Sequence, residues 1–92
     1  MPADQQDDQV RRTLDAVWRI ESPRLIAALT RVSGDLSLAE DVAQDAFEAA
    51  LRQWPREGIP ANPAAWLMTT AKRRAIDALR RRATQQRKAE EL

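Results

Sequence analysis

Ser37-Leu38-Ala39-Glu40-Asp41-Val42-Ala43-Gln44-Asp45-Ala46-Phe47-Glu48-Ala49-Ala50-Leu51-Arg52-Gln53-Trp54 reads as one amphipathic helix, and the rest of the chain is organised around it. Ser37 and Glu40 have the spacing of a capping box, in which hydroxyl and carboxylate each satisfy an orphan backbone amide. Ala43, Phe47, Ala50 and Trp54 follow at helical spacing and define a buried face. Gln44, Asp45, Glu48 and Arg52 therefore lie elsewhere on the cylinder. Pro55 cannot donate to the helix and is expected to stop it.

Working upstream, Ser33-Gly34-Asp35 ends a preceding helix, with Gly34 suited to a left-handed cap. That helix starts near Gln9. Val10, Leu14, Val17 and Trp18 share one stripe, continued by Leu25, Ile26, Leu29 and Val32. Pro23 interrupts the run and predicts a break or kink at Glu21-Ser22, because its ring crowds the carbonyl of Arg19. Residues 1–8 are polar and aperiodic, and a disordered tail is expected there. Working downstream, Arg56–Pro63 is a proline-constrained loop that closes on Asn62-Pro63, an N-cap with proline at the first helical position. The last helix runs from about Pro63 to Arg82 or slightly beyond. Trp66, Leu67, Ala71, Ala75, Ala78 and Leu79 form its apolar stripe, and Lys72, Arg73, Arg80 and Arg81 project away. Residues 84–92 read as a frayed helix end or the start of a linker. The expectation is one all-α domain over residues 9–83, a compact bundle of three to four helices.

Composition narrows the function. With no cysteine and no histidine among 92 residues, the chain lacks thiolate chemistry, the commonest metal ligand and the commonest general base. Its two glycines cannot build a phosphate-cradling loop. Asp41 and Asp45 lie one turn apart, but no second wall desolvates them, so a solvated face outweighs paired catalytic carboxylates. An enzyme is not expected, nor a cofactor. No apolar stretch approaches the roughly 20 residues that span a bilayer, and the N-terminus has no apolar signal core. A cytoplasmic protein is expected.

Charge is segregated along the chain. Residues 1–71 carry 7 basic and 11 acidic side chains, a net −4, whereas residues 72–92 carry 8 basic and 3 acidic, a net +5. Such asymmetry bears on association and steering, although a solvated basic tail gives the same sums. Asp41, Gln44, Asp45 and Glu48 form a continuous patch that a basic helix of another protein can meet. Helix-dipole stabilisation and solubility explain the same residues. The last helix is the nucleic-acid candidate, since Lys72, Arg73, Arg80 and Arg81 can neutralise phosphates. Arg56, Glu57 and Asn62 can hydrogen-bond an unstacked base edge. Trp66 can stack on a base, while a tryptophan beside Leu67 at the start of a helix is more often core.

Two stretches also carry a family resemblance. Ala39-Glu40-Asp41-Val42-Ala43-Gln44-Asp45-Ala46-Phe47, ending in Trp54, resembles the region 2.1–2.2 helix of bacterial RNA polymerase sigma factors of the extracytoplasmic-function (ECF) group. Ala65-Trp66-Leu67-Met68-Thr69-Thr70-Ala71-Lys72-Arg73-Arg74-Ala75-Ile76-Asp77-Ala78-Leu79-Arg80-Arg81-Arg82 looks like their region 2.3–2.4 helix. The first helical segment, with Pro-Arg-Leu at 23–25, is similar to region 1.2. Together these cover about residues 10–83.

The resemblance implies that Asp41, Gln44 and Asp45 dock on the β′ clamp helices of core RNA polymerase. It implies that the loop before the last helix captures a flipped-out base of the non-template −10 strand. Lys72, Arg73 and Arg80 would then hold the upstream edge of the −10 element. An anti-sigma factor or an appended C-terminal regulatory domain is a further partner that the resemblance allows. Arg73 stands where the family often has Asn, which favours phosphate binding over base reading. The loop Arg56–Asn62 is individual to this chain. Region 4, which would follow a linker, is absent from these 92 residues, as expected of an isolated region 2 or of a piece of a longer protein. The rival reading is a helix-turn-helix DNA-binding regulator. It needs a short turn before its recognition helix, and here a loop of about eight residues precedes the basic helix.

Overall fold

The computed structural model describes the backbone of residues 2–91 and the side chains of residues 7–91. Three helices follow in order: α1 over Pro2–Ser33, α2 over Leu36–Glu57 and α3 over Pro63–Glu91. Among the described residues there is no strand, as the all-α reading expects. Each helix packs against the other two, and α1 against α2 most extensively. The outline is elongated, 58 × 23 × 18 Å, because α3 runs well past the core.

The core is built from small and large apolar groups set against one another. Leu14, Leu29, Leu67 and Trp54 are the largest fully buried side chains, and Ala39, Ala43, Ala46, Ala50, Ala71 and Ala75 fill the space between them. Alanine lets helix axes approach closely, and the leucines and Trp54 supply most of the buried area. At the α1–α2 contact, Trp18 and Phe47 meet with ring centroids 5.0 Å apart and planes tilted by 58°. Trp54 and Trp66 meet edge to face at 5.4 Å across α2 and α3. Both separations lie in the favourable range for aromatic pairs.

Several helix boundaries differ from the sequence expectation. α2 is capped by Asp35, not Ser37: the Asp35 carboxylate accepts from the Leu38 amide at 3.0 Å with extended backbone, φ −142° and ψ 106°. A carboxylate is a stronger acceptor than a hydroxyl, and starting two residues earlier brings Leu36 and Ser37 into the helix. Gly34 does take a left-handed turn, at φ 70°, and its amide bonds the Thr30 carbonyl at 2.7 Å. Pro23 does not divide α1. Pro23 and Arg19 both face solvent, and Leu14, Leu25 and Leu29 anchor the helix on either side in one core. The hydrogen bond lost there is thus on the side where its loss costs least. Pro55 sits inside the last turn of α2, which continues to Glu57 before Gly58 ends it, the Gly58 amide bonding the Trp54 carbonyl at 2.8 Å.

The N-terminal end also differs, and residues 84–91 take the helical one of their two readings. Residues 2–8 form the first turns of α1, where the sequence reading expected a disordered tail; a proline at the first helical position suits a helix start. α3 continues through residues 84–91, since that stretch contains neither proline nor glycine. Met1 and Leu92, assigned from sequence to the tail and the linker, lie outside the described residues. Val32, placed on the apolar stripe of α1, is 60% exposed because it follows Leu29 at the helix end and turns away from the core.

Two consequences are measurable. Gly58 has φ 94° and ψ 157°, a backbone region that side-chain-bearing residues avoid. Gly58→Ala is expected to cost about 1–3 kcal/mol in urea unfolding, and Gly34→Asn distinctly less, because Asn tolerates the left-handed region. The second concerns Asp35. Its carboxylate is held below the ordinary value of 3.8, first by the Leu38 amide and then by the Arg82 guanidinium. The unfolded chain therefore binds this proton more readily than the native state. The Asp35 contribution is complete above pH 3.8 and is lost as pH falls through the lower folded-state value. Thermal melts taken downward from pH 5 should show a steeper loss of stability in the wild type than in Asp35→Asn.

Candidate nucleic-acid and polymerase interface

The acidic patch lies on the outer face of α2. With roughly 100° between successive residues, Gln44, Glu48, Asp41, Arg52 and Asp45 fall in one arc of about 100°. Asp41, Gln44, Glu48 and Arg52 are exposed and Asp45 is half-buried. None of the three carboxylates forms an ion pair among the described residues, so their charge faces outward unspent. Leu51 and Phe47 border the arc on the α1 side. Arg11 lies over the Phe47 ring at 5.9 Å and also bonds Asp15 at 3.3 Å, which ties this border down. Arg52 stands within the acidic arc, so the patch is not uniformly negative.

On α3 the structure separates residues that the sequence ran together. Thr69, Arg73, Asp77 and Arg80, with Thr70, Arg74 and Arg81 beside them, occupy one exposed arc of roughly 140°. Lys72 lies about 100° round from Arg73, beside Ile76, and so belongs to a different flank. Arg82 falls on the opposite side, in line with Leu67, Ala71 and Ala75, and its guanidinium reaches Asp35 at 2.9 Å. Arg73, Arg74, Arg80 and Arg81 are exposed and form no ion pair among the described residues. Arg74 was not among the sequence candidates. Its position, seven residues before Arg81 and therefore two turns away on the same stripe, was the available signal.

The loop candidates do not converge on one site. Asn62 caps α3 as expected, its Oδ1 accepting from the Ala65 amide at 3.1 Å, while the Trp66 amide bonds the Asn62 carbonyl at 3.1 Å. Asn62, Trp66 and Arg73 line one open cleft of about 380 Å³ with Pro60, Ala65, Thr69 and Thr70. Trp66 is half-buried, so one part of the indole packs on Trp54 and another borders this cleft. Arg56 lies elsewhere, in a cleft of about 420 Å³ formed by Gln9, Val10 and residues 54–59. Trp54 also borders that cleft, and its indole Nε1 is buried without a hydrogen-bond partner among the described residues. A third hollow, lined by Gln53 from α2 and by Trp66, Thr70, Arg73, Arg74 and Asp77, continues the first along the α2–α3 groove. Gln53 and Thr70 were not singled out from sequence; an isolated amide or hydroxyl gives no periodic signal.

Uncharged donors and acceptors sit at the mouth of α3, and guanidiniums with no ion pair among the described residues follow along its outer face. Among the described residues no cluster of three or more metal-ligating side chains forms, and no helix is long and apolar enough to cross a membrane.

No solved structure matches the chain. A protein of Rhizobium meliloti (strain 1021) known as uncharacterized protein R00370 is 44% identical over 59 residues, which are 64% of this chain and 14% of that protein. The chain thus corresponds to a small part of a much longer relative. Residues 17–85, three quarters of the chain and all of the core elements just described except the first turns of α1, match the family described as Sigma-70 region 2. The chain belongs to the sigma-70 region 2 family.

Proposed function

We propose that this chain is the region 2 domain of an ECF-group sigma factor, which docks on core RNA polymerase and recognises and helps to melt the promoter −10 element. The observation that carries the proposal is the pairing, on one small bundle, of an acidic arc on α2 with a row of guanidiniums along α3, neither of them in ion pairs among the described residues. Family membership gives that pairing its meaning. Asp41, Gln44, Asp45 and Glu48 are the contact for the β′ clamp helices. Arg73, Arg74, Arg80 and Arg81 track DNA phosphates.

The same geometry refines the DNA side. Asn62 uses its carbonyl oxygen to cap α3, which leaves its amide nitrogen free to donate to a base edge. The cleft it shares with Trp66, Thr69, Thr70 and Arg73 is the proposed seat of a flipped −10 base of the non-template strand. Arg56, in a separate cleft, is left as a backbone contact at most. Lys72, on the other flank of α3, would meet a different stretch of backbone from Arg73. Melting requires no covalent step. Unstacking costs a few kcal/mol per base, offset by trapping the displaced base and by electrostatic contacts along α3. The domain works in the cytoplasm on this reading, and regulation by an anti-sigma factor or an appended domain is compatible with it.

Two measurements test the surfaces separately. A purified β′ clamp-helix fragment should bind saturably, and Gln44→Ala and Asp41→Ala should each weaken binding by about 1–2 kcal/mol as lost interface hydrogen bonds. Absence of binding by the folded wild type would leave the acidic arc as solubility and favour a plain DNA-binding regulator. On single-stranded DNA, Arg73→Ala should lower the slope of log affinity against log salt by about 0.7. Lys72→Ala, on another flank, should have a smaller effect. Unchanged affinity and slope in both variants would remove α3 from the DNA interface.

A further inference from the structure

Arg80, Arg81 and Arg82 are consecutive in sequence but serve different neighbours in the fold. Arg80 and Arg81 face outward from α3 and make no ion pair among the described residues. Arg82 lies fifteen residues after Leu67 on the stripe that also contains Ala71 and Ala75, so it points toward the body of the bundle. There its Nη1 donates to Asp35 Oδ2 at 2.9 Å, across 47 residues of sequence. This is the one ion pair among the described residues that is not within a single helix; the other two join neighbours within α1.

Asp35 uses both carboxylate oxygens. Oδ1 caps α2 through the Leu38 amide and Oδ2 receives Arg82. Beyond Leu79 every described residue of α3 is exposed, so no apolar packing holds the last turns. Their remaining side-chain bonds are local, Thr84 to the Arg80 carbonyl and Gln86 to Glu90. The Asp35–Arg82 pair is thus the tie between the basic end of α3 and the α1–α2 turn.

Resting on the DNA reading of α3, we infer that Asp35 is a positioning residue for that interface: through Arg82 it latches the last turns of α3, and so sets where Arg80 and Arg81 present their guanidiniums. Arg82 is the latch and not a phosphate contact. A bystander Asp35 predicts the opposite sign of effect. Removing a carboxylate near a basic helix would then leave DNA binding unchanged or strengthen it, because Arg82 would be freed and the net charge would rise by one.

Asp35→Asn is the informative variant, because Asn caps helices as well as Asp does but carries no charge for Arg82. Arg82→Gln breaks the same contact without touching the α2 cap. Both variants, their combination and the wild type would be compared in two ways: by amide hydrogen exchange over residues 80–86 of the free protein, and by affinity for a mixed-sequence single-stranded 20-mer across a salt series. The pair is partly exposed, with Arg82 at 55% and Asp35 at 33%, so the effects should be modest. Expected are exchange about threefold faster and DNA binding about threefold weaker in each single variant. The double variant should be no worse than either, with the salt slope unchanged. Equal or tighter binding by Asp35→Asn, with the slope falling by about 0.7 in Arg82→Gln, would overturn the inference and make Arg82 a phosphate contact. If the wild type fails to bind the oligonucleotide, the DNA reading of α3 falls; unchanged exchange over residues 80–86 in both variants would separately overturn the latch.

Discussion

Everything in this bundle depends on how closely α2 can lie between its two neighbours. α2 buries Leu38, Ala39, Val42, Ala43, Ala46, Ala49, Ala50 and Trp54. These positions span an arc of roughly 160°, wider than a helix needs when it packs on one partner. Five of the eight are alanine, so α1 and α3 both approach the α2 backbone without large side chains holding them off. Trp54, at the far end, is 1% exposed and meets Trp66 of α3 edge to face. A domain of this size has little surplus stability, and a core assembled from one central helix concentrates that stability in few residues.

The central position of α2 also determines what remains available for function. Its outer arc, the part touching neither neighbour, is where Asp41, Gln44 and Glu48 stand. α3, packed on α2 through Leu67, Ala71 and Ala75, is left with an outer arc of its own that carries Arg73, Arg74, Arg80 and Arg81. One packing solution therefore directs carboxylates one way and guanidiniums another. Separation matters because the two sets, placed together, would neutralise each other as intramolecular ion pairs. Among the described residues, the one ion pair that joins separate parts of the fold is Asp35 of the α1–α2 turn with Arg82 of α3, at the end of the bundle where apolar packing has run out.

The helices were legible because their signals are local. Asn62-Pro63 marks the start of α3, and the structure shows the cap bond that this dipeptide implies. Gly34 marks the turn between α1 and α2 by its left-handed backbone. The prolines misled for a common reason. Pro23 and Pro55 each remove one backbone donor, a cost that local reasoning treats as decisive. In the fold the cost is outweighed by leucines on both sides of Pro23, and is small at Pro55 because only the last turn is involved. The Ser37–Glu40 capping box failed because Asp35, two residues earlier, offers a better acceptor and can use it only once Gly34 has reversed the chain. The reading of the α2 buried face as Ala43, Phe47, Ala50 and Trp54 found one edge of that arc, with Phe47 half-buried against Trp18 of α1 and Trp54 against Trp66 of α3. It missed Leu38, Ala39, Val42, Ala46 and Ala49 because a single stripe presumes a single partner.

The sequence by itself determined the helical class, the charge of each surface and the residues that carry the sigma-70 region 2 pattern, but left three or four helices open at Pro23, since composition, periodicity and motif spacing are properties of neighbouring residues. Only the tertiary structure decided which of those residues act together. It divided Arg56 from Asn62 and Trp66, and committed Arg82 to Asp35. Those assignments depend on which arc of each helix faces its neighbours. That choice is made by the packing of all three helices at once, and no single helix encodes it.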